Sequence, residues 1–291
     1  MDKDVRATPF VKWAGGKSRL IKKIDKLFPK KFNKYFEPFV GGGAVFFHLK
    51  PKKAYLSDQN KELINLYSQL RNESNKVIKH LKNYRRKFKQ AHLEKKDSEY
   101  YYHVRNRERT QSQSKSRRAA RTIFLNKTCF NGLYRINSKG KFNVPYGRTA
   151  GGKLPTIVNE SELLKCSEVL QYADIKNHDY NNILKNVKKG DFIYLDPPYH
   201  APNKASMYSK TYFDDSRQDK VALLFRKLDE IGAFVMFNNS HTLYDLKENY
   251  ENINYLFENE RNRIEVINTK WSIGARSEWR NEKGELLITN Y

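Results

Sequence analysis

The sequence predicts an α/β protein in which a sheet domain carries a second, smaller helical domain. Three observations lead there. Short apolar strands alternate with helix-spaced segments at both ends of the chain. A strongly basic stretch with helical spacing separates those ends. One apolar run, Asp191 to Leu195, stops dead at Asp196-Pro197-Pro198-Tyr199. At 291 residues the chain can bury a full core and can hold one large domain or two smaller ones.

Taken in order, Leu20 to Leu27 is amphipathic, and Tyr35 to Phe39 is a short aromatic strand that enters Gly41-Gly42-Gly43. Ala44 to Leu49 reads as helix, Ala54 to Asp58 as a strand with an acid at its tip, and Asn60 to Leu70 as a helix with apolar residues at Leu63, Leu66, Tyr67 and Leu70. Between Lys76 and Lys127 there are 17 Lys or Arg against 4 Asp or Glu, with Tyr100, Tyr101 and Tyr102 interleaved. Val77, Leu81, Tyr84 and Phe88 keep helical spacing, so this zone is a small helical unit with a basic face. It runs into a polar, Gly-rich stretch from Asn131 to Lys153. Alternation then resumes: helix over Ser167–Tyr172, strands over Asp174–Lys176 and Phe192–Leu195, helix over Asp219–Ile231, and strands over Ala233–Asn238 and Leu286–Asn290. No internal repeat is present, and the one low-complexity patch is Gln111 to Ser116. The expected division is a catalytic domain of residues 1–70 and 166–291, with residues 71–165 inserted.

The formal charge is +24, which points to a polyanionic partner, nucleic acid before an anionic membrane surface. A merely basic, solvated surface is the plain alternative. No apolar stretch approaches the ~20 residues of a spanning helix, and Met1 to Phe10 lacks a signal-peptide core, so no membrane role is expected. Cys129 and Cys166 form no framework and belong to no Cys-x-x-Cys pair, which suits a reduced, cytoplasmic compartment. The 7 His residues show no zinc spacing, and no metal is expected.

Chemistry concentrates at two turns. The prolines of Asp196-Pro197-Pro198-Tyr199 cannot continue a central ladder. The strand end therefore presents a carboxylate, carbonyls and an aromatic ring together. That set suits a flat ring bearing an amino group: Asp196 and the Pro197 carbonyl accept its two hydrogens while Tyr199 stacks on its face. A nitrogen held by two acceptors loses conjugation with its ring and gains nucleophilicity. Read alone, the tetrapeptide is equally well a plain turn. Gly41 to Gly43 lets the backbone approach a ligand ahead of a helix, and Asp58, at the next strand end, suits a ribose diol. The third glycine of a dinucleotide fingerprint is missing, since Phe46 stands there. A ligand with one nucleoside and no pyrophosphate, such as S-adenosylmethionine, fits better. A glycine turn needed only for packing remains the alternative. Trp13-Ala14-Gly15-Gly16-Lys17-Ser18 is no P-loop, because Val11 stands where a glycine is required. Lys17 can pair a carboxylate and Trp13 can offer a ring, or the segment can be a helix cap with a solvated lysine.

Together these residues resemble the Dam-type DNA adenine-N6 methyltransferases, D12 class, of the alpha group, in which the cofactor motif precedes the target region and the catalytic motif comes last. Phe10 to Lys17 is similar to that family's N-terminal motif, and Tyr35 to Gly43 to its cofactor loop. Asn131 to Asn137, continuing through Phe142 to Arg148, is similar to its target-recognition signature. Asp196 to Tyr199 matches its catalytic tetrad and Glu285 to Tyr291 its closing strand. The match spans nearly the whole chain in the right order.

The resemblance implies a Rossmann-like, S-adenosylmethionine-dependent methyltransferase sheet with an inserted helical target-recognition domain. It implies cofactor contacts at Trp13, Lys17, Phe39, Gly41, Gly43, Asp58, Asp179 and Asp196, and catalysis by Asp196, Pro197 and Tyr199. Double-stranded DNA is the implied partner, held through Asn131, Leu133, Arg135, Asn137, Pro145 and Arg148, with the target adenine flipped out of the duplex. Arg135 and Arg148 are candidates for guanine contacts or phosphate clamps. After Arg148 the chain reads Thr149-Ala150-Gly151-Gly152-Lys153, where GATC-modifying relatives usually carry an aromatic-basic-Asn-Pro run. The expected site is GATC or a longer one containing GAT. The chain is expected to be a monomer, and a restriction endonuclease cutting the same site is an admissible partner. Direct attack by N6 needs no protein nucleophile. Cys129, in an apolar setting and without a preceding proline, reads as a packed hydrophobe rather than the nucleophile of cytosine-C5 chemistry. Competing readings are RNA or protein methylation, and a non-catalytic DNA-binding protein on a methyltransferase fold.

Overall fold

A computed structural model describes residues 7–107, 113–148, 153–199, 213–269 and 283–291. Thr149 to Gly152, where the recognition signature departs from GATC-modifying relatives, and Gln111 and Ser112 of the low-complexity patch lie outside the described residues.

Among the described residues seven strands, β1 (Tyr35–Glu37), β2 (Ala54–Ser57), β3 (Ala173–Lys176), β4 (Phe192–Leu195), β5 (Phe234–Ser240), β6 (Arg263–Thr269) and β7 (Lys283–Thr289), form one sheet. Their order is β3-β2-β1-β4-β5-β7-β6. β1 runs parallel to β2 and β4, β4 runs parallel to β5, and β7 is antiparallel between β5 and β6. This is the Rossmann-like methyltransferase sheet expected from the sequence. Every residue of β1, β2 and β4 is buried, as in parallel strands covered on both faces, and such strands read as continuous apolar runs. The order reverses between β1 and β4, where Phe36 pairs with Ile193. Beyond the carboxyl ends of two such strands lies the crevice that open α/β sheets use for ligands.

Contacts divide the chain into two compact units. The first comprises residues 1–16, 41–50 and 60–177 and is mainly helical. In it stand α2 (Ala44–Leu49), α3 (Lys61–Leu93), α4 (Asp97–Asn106), α5 (Lys115–Thr128) and α6 (Glu160–Leu170); the short α1 (Ile21–Ile24) precedes them in sequence and belongs to the second unit. The Asn60 side chain caps α3 by accepting from the Glu62 and Leu63 amides, both at 3.1 Å. The sequence shows two apolar stretches there, Leu63–Leu70 and Val77–Phe88. The structure joins them in one helix whose backbone leaves helical angles at Glu73, where the apolar stripe lapses. Arg121, buried on α5, donates to the Val104 and Arg105 carbonyls at the end of α4, at 3.0 and 2.8 Å. Those carbonyls have no partner within their own helix.

The second unit comprises residues 17–40, 51–59 and 178–291. Its core joins Phe36, Ile193, Leu195, Val235, Phe237, Leu286 and Ile288 of the strands to Val221, Phe225 and Leu228 of α7 (Asp215–Ile231) and Ile253 and Leu256 of α8 (Glu251–Glu258). α6 and α7 begin earlier than the apolar spacing indicated, because their first turns are polar and capped by Asn159 and Asp214. β6 escaped the sequence reading altogether. It is an edge strand whose apolar Ile264 and Val266 alternate with Arg263 and Glu265 yet are exposed, so no buried face marks it.

At the closing strand's end, the Asn290 side chain accepts from the Val235 amide at 2.7 Å and donates to the Ala233 carbonyl at 2.8 Å and the Asp229 carboxylate at 2.9 Å. Asn290→Ala removes all three bonds and orphans part-buried partners. It should cost about 1–3 kcal/mol, read as a lower denaturant midpoint with an unchanged slope.

Candidate active site

β4 delivers its last residue, Leu195, fully buried, and the chain then turns at Asp196. Lys17, in the 3-10 turn Lys17–Arg19, meets it: Lys17 Nζ lies 2.9 Å from Asp196 Oδ1, with the lysine side chain 3% exposed and the aspartate 18%. The same ammonium sits 4.7 Å from the centre of the Tyr199 ring. Burial pushes the Asp196 carboxyl up to about 6; Lys17 pulls it down and Glu285 adds to the rise. Burial likewise drives the Tyr194 and Tyr199 hydroxyls well above their usual value, so both rings stay neutral.

The tetrad is held from behind. Tyr199 donates its hydroxyl to Glu285 Oε2 at 2.5 Å, and Asn238 Nδ2 lies 2.7 Å from that hydroxyl and 2.9 Å from the same carboxylate oxygen. Gln218 of α7 donates to the Pro198 carbonyl at 2.9 Å and is itself fixed by Asn239 at 2.9 Å. Pro197 is buried and Pro198 half-buried, and neither has an amide hydrogen to satisfy.

Elsewhere in the second unit, Phe39 stacks on Tyr180 with ring centres 5.1 Å apart. Asp179 caps the 3-10 helix Tyr180–Lys185 through the Asn181 amide at 3.0 Å, and its other oxygen accepts from Gln59 Nε2 at 2.7 Å. Asp58 follows β2 and is half-buried.

The first unit holds the glycine turn. Gly41 and Gly43 take φ of 44° and 65°, the left-handed region that favours glycine. A Cβ on Gly41 would stand 2.9 Å from Trp13 Cδ1, and one on Gly43 would stand 2.7 Å from the Tyr67 hydroxyl, which donates to the Gly41 carbonyl at 3.0 Å. These glycines therefore let the turn pack directly against Trp13 and Tyr67, with no space for a side chain at either position.

Trp13 also stacks on Tyr134, centres 4.8 Å apart. Asn126 of α5 ties the two segments together: its side chain accepts from the Lys12 amide at 2.8 Å and donates to the carbonyls of Lys12 at 2.8 Å and Gly132 at 2.9 Å. Beyond lies a loop closed by single bridges between Ile136 and Phe142 and between Cys129 and Tyr146. Of the candidate DNA residues, Arg135 donates to Asn143 Oδ1 at 2.9 Å, and Asn137 Oδ1 accepts from the Lys139 and Lys141 amides, both at 3.0 Å. Both thus shape the loop itself. Asn131, at φ 54°, Pro145 and Arg148 are exposed, and Leu133 is half-buried. Cys129 is buried, its thiol pushed up to about 12 by burial and donated to the Leu133 carbonyl at 3.2 Å, which leaves it no use as a nucleophile.

Sequence reasoning missed Asn126, Asn238 and Gln218 and gave Glu285 no role. The available signal was a polar pair, Asn238-Asn239, closing an otherwise apolar strand. Among the described residues no cluster of His, Cys, Asp or Glu could hold a metal ion, and no helix is long and apolar enough to cross a membrane.

The sequence profile of the D12 class N6 adenine-specific DNA methyltransferases matches residues 13–273. The chain belongs to this family. It is similar to the type II methyltransferase M1.LlaDCHI of Lactococcus lactis subsp. cremoris, 39% identical over 295 residues that cover 99% of this chain and 96% of the relative. It is 38% identical to the type II methyltransferase M.MjaIII of Methanocaldococcus jannaschii, over 97% of this chain and 99% of the relative. It is 31% identical to the DNA adenine methylase of Escherichia coli, over 96% of this chain and 93% of that protein. The chain is thus an adenine-specific DNA methyltransferase, and its substrate is DNA.

For this methyltransferase the site chemistry has a pH signature. With Asp196 in the accepting role that the family resemblance implies, the competent form is the carboxylate, which exists above its pKa. kcat/KM should rise as pH passes upward through about 6 and fall tenfold per unit below it. Initial rates measured between pH 5 and pH 8 (roughly the window over which such a group titrates) check this.

Proposed function

We propose that this methyltransferase transfers a methyl group from S-adenosylmethionine to N6 of an adenine flipped out of duplex DNA, within GATC or a longer site containing GAT. The observation that carries the reading is the Asp196-Pro197-Pro198-Tyr199 turn at the end of β4, with Lys17 on its carboxylate. The family resemblance proposes Trp13, Gly41 and Gly43, in the first unit, as donor contacts, and their turn carries no side chain between Gly41 and Gly43. In the second unit the residues proposed to contact the donor are Lys17, Phe39, Asp58, Asp179 and Asp196. When bound, the donor supplies a methyl group on a positively charged sulfur.

The chain's own residues prepare the acceptor. Asp196 and the Pro197 carbonyl accept the two N6 hydrogens, which localises the nitrogen's electron pair, while the Tyr199 ring covers the base. Lys17 keeps the carboxylate ionised in surroundings that favour its neutral form. Once N6 carries the methyl group it sheds one of its two hydrogens as a proton, and Asp196 is the acceptor in contact with it. Residues 71–165 are proposed to read the target. Within them Asn131, Leu133, Pro145 and Arg148 are proposed to face DNA, while Arg135 and Asn137 hydrogen-bond within the loop that would present them. Arg148 follows Pro145-Tyr146-Gly147 in an exposed position and is assigned to base readout. Two of the relatives are named type II methyltransferases, which supports a partnership with a restriction endonuclease cutting the same site.

Methylome sequencing of DNA from a methylation-free host expressing the chain tests the reading. N6-methyladenine at one motif containing GAT is expected, lost altogether with Asp196→Ala although that variant still binds duplex DNA, because phosphate contacts dominate affinity. Arg148→Ala should relax the motif at one position, by roughly 1–3 kcal/mol of discrimination. Methylation surviving Asp196→Ala contradicts the mechanism, and an equal fall at every site contradicts base readout.

A further inference from the structure

Behind the catalytic turn stands a charged group that the chemistry above does not use. Glu285 occupies β7 opposite Ser240 of β5 and Ile267 of β6, 9% exposed, followed by the buried Leu286, Leu287 and Ile288. A carboxylate in such a run is costly unless donors meet it. Here two donors converge on one oxygen, the Tyr199 hydroxyl at 2.5 Å and Asn238 Nδ2 at 2.9 Å, and the donors are themselves 2.7 Å apart. Asn238 is fully buried and reaches toward the Tyr194 hydroxyl at 3.5 Å. The Tyr199 ring is thus held at both ends of its long axis, by the rigid Pro197-Pro198 turn at its Cα and by Glu285 at its hydroxyl, with Lys17 over its face. A ring fixed only at Cα is free to swing about its first side-chain torsion, whereas one pinned at the hydroxyl is confined to one staggered well.

We propose that Glu285, together with Asn238, is a positioning residue for methyl transfer, acting through the Tyr199 hydroxyl to keep that ring where it covers the target adenine. The inference rests on the proposed role of Tyr199 against the flipped base. In this role Glu285 acts through Tyr199 and Asn238 rather than on the base. Its charge has a second consequence, because Asp196 sits in a ring of ionisable groups: Lys17 from the 3-10 turn, Tyr194 from β4, Tyr35 and Glu37 from β1, Tyr199 from the turn itself and Glu285 from β7. Of these, Glu285 raises the Asp196 carboxyl and Lys17 lowers it.

The experiment is a double-mutant cycle in the full chain, following transfer of labelled methyl from S-adenosylmethionine to DNA that lacks adenine methylation. Glu285→Ala and Tyr199→Phe should each lower kcat by about tenfold with KM for both substrates little changed, and the double variant should be no worse than either single one. Glu285→Gln keeps an acceptor for the hydroxyl and discards the charge. It should restore most of the turnover lost in Glu285→Ala while moving the acid limb of the pH profile to lower pH. Losses that multiply in the double variant overturn the inference, as does an acid limb unmoved in Glu285→Gln. The Gln variant, nearly isosteric, decides the matter if Glu285→Ala does not fold. Label recovered from wild type in a base other than adenine overturns the functional reading instead, whereas multiplying losses with N6-methyladenine as product overturn only the role of Glu285.

Discussion

The ion pair between Lys17 and Asp196 is the constraint on which the rest of the site depends. A carboxylate as enclosed as Asp196 is driven toward its neutral form, and a protonated acid presents a donor where an amino group needs an acceptor. Lys17 opposes that drive from 2.9 Å, itself almost wholly buried. Each charge is tolerable there because of the other, and removing one leaves the second uncompensated in a poor solvent. The sheet explains how two residues so distant in sequence meet. Asp196 arrives on β4, at the place where strand order reverses beside β1, and Lys17 arrives on the short turn that precedes α1 in the same unit.

Around that pair the polar groups form a nested support. Glu285 and Asn238 hold Tyr199, Gln218 and Asn239 hold the Pro198 carbonyl, and these supports come from β5, β7 and α7. In the helical unit a comparable economy joins Trp13 to the recognition loop. Asn126 satisfies three backbone groups from two segments, and the Trp13–Tyr134 stack closes the junction. The indole over the glycine turn and the loop that carries Arg148 therefore share one packed foundation within that unit. Residues in such shared networks contribute non-additively, and substitutions there are read by comparison of pairs.

Much of this was legible in the sequence, for identifiable reasons. β1, β2 and β4 are buried on both faces, so apart from the closing Glu37 and Ser57 their side chains are apolar, and prolines follow closely on β1 and β4; β4 spans the very residues expected, Phe192–Leu195. α2 coincides with Ala44–Leu49 because a glycine begins it and Lys50, in the left-handed region, ends it. β6 was hidden, since an exposed edge strand carries no face to bury. The polar starts of α6 and α7 were hidden too, because apolar spacing marks the buried part of a helix and capping residues mark the rest. At the candidate site, motif order pointed to the Asp196–Tyr199 turn and to the glycine turn. It could not show that Arg135 and Asn137 spend their polar atoms inside the loop, or that Glu285 lies under Tyr199, because those facts depend on three-dimensional proximity across 8 and 86 residues of separation.

Lys17 sets the ionisation of a carboxylate that burial alone would neutralise. The most direct measurement is the pH titration of the Asp196 carboxyl carbon by NMR, in aspartate-labelled protein, for the wild type and Lys17→Met. The carboxyl should titrate near pH 6 in the wild type and distinctly higher in the variant. A wild-type value near 3.8, or one that does not respond to loss of the lysine, would rule out this role for Lys17.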